Sequence, residues 1–546
     1  MTPTPGILYV TMHPKDSNYP MSKFNDWYNN EHGPNRLRLS LIKNGFRYRA
    51  ADGLTPEWMA IYDLDDMQSL TSETYTRLRG PPVQSQRERD VMKEIKIDRR
   101  FFDLGAEKKI DGFKKLEDIE NAHGKNVFVS AKITLKDDSK RHLYEEWFDK
   151  EHIPMLSKVP GWRRSRRFVT STLEQGSALE ILGIHEYDAE NGLDGPEFKS
   201  ATSTPWRNQI FEEIVKEKTR RLYDLYYIFG AAPRDLGSPN QSIVYPDGKT
   251  KVIVGDDTQS TVIESYITTS DDVDLPYRLE GNTDPNAPVL VLINSVLVDW
   301  GIWDVFVHEF FKEQVNRKYR ILRFNSRGRY AQSGSQPATV DLLATDVISL
   351  LDALKITQAA AVIGVSLGGV TALRLALKFA HRTKSFVACD TNAVAPPGNP
   401  KAWGERIDVA EKESRTSSQG TKIVGENLAE MTVRRWFTAK SYENPVKLTE
   451  IERVKQMVIS NSLEGFRTGV KALYQYDYQE ELPKGSVMGM FLVGSEDGVL
   501  PATMKKMAAS YADGSSSLEI VQGAGHLPMV EQPEAFTKAI SSFLDK

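Results

Sequence analysis

Residues 27–34 read WYNNEHGP and residues 147–154 read WFDKEHIP, 120 positions further on. This spacing brings Trp27 onto Trp147, Glu31 onto Glu151, His32 onto His152 and Pro34 onto Pro154. More matches follow in the same order: NGFRYR at 44–49 with PGWRRSR at 160–166, MAIYDLDD at 59–66 with LGIHEYDA at 182–189, and RRFFDL at 99–104 with RRLYDL at 220–225. Whole units therefore repeat. Each starts with an alternating strand, GILYVTMHP or NVFVSAKITL, then a helix with the EH-P motif, two strand-like stretches, a second helix and a last strand. A β-α-β-β-α-β chain covers one sheet face with helices and leaves the other apolar and bare. That face must be buried against a second sheet, which a tandem copy can supply.

At 546 residues the chain is too long for one ordinary core and is expected to be multidomain. Over about residues 5–228 the repeated pattern resembles the EthD-like family of ferredoxin-like, dimeric α+β barrels. The resemblance implies one repeat at 1–118 and a second at 119–230. Residues 231–259 turn to Gly, Pro, Ser, Asn and Asp, which reads as a linker. From 260 to 546, strands such as APVLVLIN (287–294) and AAAVIGVS (359–366) alternate with helical stretches such as ATDVISLLDALK (344–355). This is the pattern of a parallel sheet with helices on both faces.

The composition, 40% apolar and 26% charged with a net charge of −4, lacks the basic excess that nucleic-acid binding requires. The single Cys389 excludes an intrachain disulfide and any multi-cysteine metal site, and it reads best as a small buried hydrophobe. The first twenty residues show no basic start followed by an apolar block. The most apolar run, 289–298, is interrupted by Asn294 and Ser295 and falls far short of the roughly 20 residues that span a bilayer. No membrane partner and a cytoplasmic location are expected. Oligomeric state is left open, with a homo-oligomer among the options.

The segment AVIGVSLGGVTALRLALKFA places a strand, a G-x-S-x-G turn and a helix in immediate succession. Nucleophilic catalysis needs its hydroxyl on such a sharp turn, with glycines allowing close packing around it, and Ser366 is the expected nucleophile. The third domain offers His308, His381 and His526 as bases. The first two fall in helical or helix-end stretches, whereas His526 lies in the loop GAGHLPMVEQPEAF before the terminal helix. The orienting acid should follow a late strand, and MFLVGSEDGVLP offers Asp497 in preference to Glu496. Asp497 would fix the His526 tautomer, and His526 would take the Ser366 proton. An oxyanion hole needs two N–H groups: Leu367 follows the nucleophile, and Val296 lies in the loop INSVLVDWGIWD.

With these residues, NSVLVDWGIWD, YRILRFNSRGR, WGERI, RRWFT and EGFR resemble the 3-oxoadipate enol-lactonase branch of the α/β-hydrolases, over about 261–546. The resemblance implies a helical cap at roughly 397–484 and a small-molecule lactone or ester substrate. It suggests Ser295, Arg327, Arg406 and Trp436 around the substrate pocket. Two departures stand out: Leu297 where the family carries a small residue, and RGRY at 327–330 in place of R-G-H-G. A related carboxylesterase or carbon–carbon bond hydrolase is the alternative. The expected chemistry uses neither metal nor organic cofactor.

The EH-P copies invite a second site built on Glu31, His32, Glu151 and His152. In a regular helix Trp147, Glu151 and Pro154 share a face and His152 points about 100° from Glu151, so the two would form no acid–base pair. A packing motif in a pseudo-dimer is the simplest reading. A barrel that isomerises a neighbouring lactone, or a ligand-binding or assembly module, are the others.

Overall fold

The computed structural model describes residues 2–119, 122–174, 176–255 and 260–546. The chain divides into two compact units, Met1–Asn240 and Gln241–Lys546. Among the described residues no helix is long and apolar enough to cross a membrane.

The strands of the first unit are β1 (Gly6–Pro14), β2 (Phe46–Ala50), β3 (Trp58–Leu64), β4 (Ile95–Lys109), β5 (Asn126–Leu135), β6 (Trp162–Thr170), β7 (Ile181–Asp188) and β8 (Val215–Ile228). They close into an antiparallel barrel in the order β1-β3-β2-β8-β5-β7-β6-β4. Each repeat contributes four adjacent strands. The seams are β2 against β8, with Phe46 opposite Ile228, and β4 against β6, with Phe102 opposite Thr170. Closure satisfies the edges that each four-stranded sheet would otherwise expose.

Strand alternation sorts the core. Ile7 and Tyr9 of β1 face the interior with Phe46, Met59 and Ile61, and there they meet Phe128, Leu182 and Ile184 of the second repeat. Leu8, Val10 and Met12 point the other way, into a layer shared with Phe24, Trp27 and Tyr28 of the first motif helix. Val129, Ile133 and Leu135 do the same against Tyr144, Trp147 and Phe148 of the second. The bare faces of the two repeats thus bury each other.

The motif helices are not regular. Met21–Trp27 and Arg141–Trp147 are α-helical, but Tyr28–His32 and Phe148–His152 form π-turns, in which Gly33 N–H donates to Tyr28 O and Ile153 N–H to Phe148 O. The next residue in each copy is proline, Pro34 or Pro154. It has no N–H for the following rung, and its ring crowds the carbonyl four residues back, so the widened turn is the accommodating geometry. Residues five apart then lie over one another. Trp27 and His32 have ring centroids 4.6 Å apart, as do Trp147 and His152. The regular-helix expectation for His152 is corrected accordingly: it stacks on the motif tryptophan.

The second unit contains β9 (Ile243–Val244), β10 (Lys251–Ile253), β11 (Val262–Thr268), β12 (Asp274–Gly281), β13 (Val289–Ile293), β14 (Arg320–Phe324), β15 (Ala361–Val365), β16 (Ser385–Cys389), β17 (Met488–Gly494) and β18 (Ser517–Val521). They form one sheet in the order β18-β17-β16-β15-β13-β14-β12-β11-β10-β9. From β13 onward the pairings are parallel, and β9 to β12 extend the sheet antiparallel beyond β14. β13 and β15 are buried along their whole length, as expected of strands covered on both faces. Between β16 and β17 runs a helical insertion containing Asn399–Glu413, Glu426–Trp436, Pro445–Ile459 and Leu463–Gly469.

The stretch 231–259 is not a plain linker where it is described. Up to Asn240 it belongs to the first unit, where Asn30 Oδ1 accepts from the N–H groups of Arg234 and Asp235, and Asp235 accepts from Asn29. Beyond it, β9 and β10 pair onto β11. Its polar residues suggested solvent, but several are used as hydrogen-bonding partners.

Candidate active site

β15 ends at Val365 and the helix Leu367–Lys378 begins two residues later, with Ser366 between them at φ 57° and ψ −116°. Such a turn is sterically costly for a residue with a side chain and lifts the hydroxyl out of the sheet. The glycines around it make room. A Cβ on Gly364 would lie 2.0 Å from Gly368 O, and one on Gly368 would lie 2.2 Å from Ile293 O. The turn is held by Ser366 N–H donating to Cys389 O at 2.9 Å and by Thr391 Oγ1 donating to Ser366 O at 2.8 Å.

His526 follows β18, and Asp497 follows β17. His526 Nδ1 and Asp497 Oδ2 are 2.7 Å apart, and the neighbouring Glu496 is exposed. His308 and His381 are exposed as well. Ser366, Val296, Asp497 and His526 all line one cavity of about 340 Å³. Leu367 opens the helix behind Ser366, where first-turn N–H groups have no partner within the helix.

The histidine loop is anchored to the cap. His526 N–H donates to Trp436 O at 2.8 Å, and the Trp436 ring stacks on the imidazole with centroids 5.9 Å apart. The buried Glu531 accepts from Gly525 N–H (2.6 Å), Thr438 N–H (2.9 Å) and Ser441 Oγ (2.5 Å). One carboxylate therefore ties the loop to the end of a cap helix.

Of the four expected pocket residues, Trp436 lines the cavity. Arg406 lies behind it, its guanidinium 4.5 Å from the ring of Trp403, which is itself a lining residue. Ser295 is buried with no partner for its hydroxyl among the described residues, and it does not line the cavity. Arg327 is a correction: its side chain is fully buried and bidentate to both Asp346 (2.7 and 2.8 Å) and Asp271 (2.7 and 3.0 Å). A guanidinium so neutralised is a structural tether.

Among the residues lining the cavity and not singled out from the sequence are Arg435, Trp403 and Asp390. Arg435 lines it, exposed at the rim, with no carboxylate paired to it among the described residues. Trp403 supplies a wall. Asp390, at the end of β16, lies fully inside, with Oδ1 accepting from Gly494 N–H at 2.9 Å. Ligand atoms of Asp390, Asp497 and His526 fall within 4.8 Å of one another. Burial, and then the charge of Asp497, push the Asp390 carboxyl well above the usual range, which favours its protonated form. Its position directly after a central strand was the available signal.

In the first unit the adjacent motif residues do not pair. Glu31 accepts from Ser85 Oγ, and burial pushes its carboxyl up to about 7. His32 Nδ1 bonds Glu88 at 2.9 Å, while burial and then Arg36 hold the ring down to about 4. Glu151 accepts from Trp147 Nε1 at 3.0 Å and Thr204 Oγ1 at 2.5 Å. Burial and then Lys218 hold His152 down to about 3.

Residues 290–539 match the alpha/beta hydrolase family, and the C-terminal half of the chain is an α/β hydrolase. Its relatives include 3-oxoadipate enol-lactonases. It is 28% identical to 3-oxoadipate enol-lactonase 2 of Acinetobacter baylyi over 279 residues, which is 51% of this chain and 96% of that protein. Against 3-oxoadipate enol-lactonase 1 of the same organism the figures are 28% over 264 residues, 48% of this chain and 91% of that one. Among solved structures, an enol-lactonase from Burkholderia xenovorans LB400 is 28% identical, with a TM-score of 0.44 over 52% of this chain and 100% of that one.

Proposed function

We propose that the second unit is a cytoplasmic serine hydrolase that opens a small enol-lactone bearing a carboxylate. Ser366 attacks the ring carbonyl as His526 takes its proton, and Asp497 holds the imidazole in the tautomer that permits this. The N–H groups of Val296 and Leu367 receive the oxyanion. His526 then protonates the departing enol oxygen, the enol ketonises, and water activated by His526 frees the acyl group. The observation that carries this reading is the 2.7 Å His526–Asp497 bond beside a cavity that Ser366 also lines. Arg435 at the rim, with no ion pair among the described residues, supports an anionic substrate, because a carboxylate could pair with it.

A carboxylesterase using the same machinery is the second reading. It is favoured by Leu297, buried at φ 70° directly after Val296, where the resembled family carries a small residue. The first unit is read as a tandem EthD-like pair of the dimeric α+β barrel type, with repeats at 1–118 and 119–230; the β4-β1-β3-β2 and β8-β5-β7-β6 strand orders support this.

The test is hydrolysis of a panel of enol-lactones and aryl esters by the whole chain and by Ser366→Ala. Faster turnover of carboxylated enol-lactones, abolished in the variant, is the expected result. Turnover of neutral esters alone would replace the lactone with the ester, and activity surviving in Ser366→Ala would remove the mechanism.

A further inference from the structure

The two motif helices carry the same residues in unequal surroundings. In both copies a hydroxyl caps the next helix and also donates to the motif glutamate: Ser85 to Glu31 and Thr204 to Glu151. Each cap accepts from the N–H three residues on, which belongs to Glu88 in the first copy and to Arg207 in the second. An acid has thus become a cation at equivalent places. Glu88 takes the Nδ1 of His32, whereas the Nδ1 of His152 is buried with no partner among the described residues.

The space beside the motif differs too. In the first copy the Arg47 guanidinium lies 4.6 Å from the Phe24 ring and 4.2 Å from the Trp58 ring, and Phe229 stacks on Tyr28 and Tyr62. In the second copy the same region is a cavity of about 350 Å³. A cavity of about 150 Å³ can hold benzene, so one substituted ring fits here. Trp147, Phe148 and Phe211 offer it aromatic walls. Arg207, Lys218 and Arg220 also line the space, with no Asp or Glu among the lining residues. Arg207 and Arg220 both act against the Lys218 charge, a repulsion that an anion would relieve.

We propose that this cleft of the second repeat binds a small hydroxylated aromatic carboxylate. The ring packs against Trp147 and Phe148, the carboxylate sits among Arg207, Lys218 and Arg220, and a ring hydroxyl hydrogen-bonds to His152 Nδ1. The first cleft, with His32 engaged by Glu88 and its space filled, does not bind. This site is independent of the hydrolase reading.

The test is calorimetric titration of the whole chain with 4-hydroxybenzoate, benzoate and the neutral 4-hydroxybenzyl alcohol. One site per chain is expected, with the neutral analogue weaker by roughly tenfold or more. Arg207→Gln should weaken 4-hydroxybenzoate by a similar factor, as should Lys218→Gln, whose position on the rim keeps it clear of the core. His152→Phe should erase the preference for 4-hydroxybenzoate over benzoate. Arg435→Gln, in the other unit, should leave binding unchanged. No binding at millimolar ligand, equal affinity for the neutral analogue, or loss in Arg435→Gln but not in Arg207→Gln would each overturn the proposal.

Discussion

Ser366 is held at a backbone conformation that costs about 1–3 kcal/mol in a residue with a side chain, and the turn persists because Gly364 and Gly368 leave room for it. Those glycines, with the flanking strand and helix, made the position legible in the sequence. His526 and Asp497 were legible from their order after late strands. Asp390 was not, because an acid at a strand end has many uses and only packing puts it beside Asp497. Since Asp390 holds its proton when folded and would ionise near its ordinary 3.8 when unfolded, the folded state binds the extra proton above that pH. Its contribution to stability is therefore present below about pH 4 and is lost as pH rises. Asp390→Asn keeps a hydrogen-bond donor without the titration. Urea unfolding between pH 5 and 8 should show a smaller decline with pH in this variant than in the parent, with kcat/KM within about threefold at neutral pH. An unchanged pH slope would show that Asp390 is ionised.

At the scale of elements, the strand and helix order of both repeats followed from alternation and spacing, but the π-turn did not. Face assignments on a helix assume about 100° per residue, and the proline after the motif breaks that assumption by removing an N–H. The polar stretch after residue 230 makes a related point: such a segment can be solvated, or, as with Asp235, it can hydrogen-bond to a helix. Another local device joins the loop of Val296 to the cap. Arg329, nearly buried, donates through Nη1 to Leu297 O (3.4 Å) and Met457 O (2.5 Å), and through Nη2 to Ser460 Oγ (2.8 Å). It thus supports Leu297 in a left-handed conformation that favours glycine. Arg329→Met removes the clamp while keeping the stem. Because the adjacent Val296 N–H is read as an oxyanion donor, kcat should fall about tenfold or more with a smaller change in KM. A pure KM effect would mean that the clamp shapes binding only.

Across the whole molecule, each unit has its own core: a barrel interior shared by two repeats in one, and a sheet covered by helices in the other. The duplicated motif was legible as a repeat. The divergence of its two copies, Glu88 in one and Arg207 in the other, was not, because pairing the second helices requires the capping geometry. The proposed hydrolase chemistry rests on residues of the second unit. The measurement that tests this assignment most directly is mass spectrometry of the whole chain after reaction with a fluorophosphonate, read beside residual lactone and ester hydrolysis. A single adduct is expected, on the peptide containing Ser366, with hydrolysis lost in proportion to labelling. Labelling elsewhere, or hydrolysis that persists once Ser366 is fully modified, would contradict it.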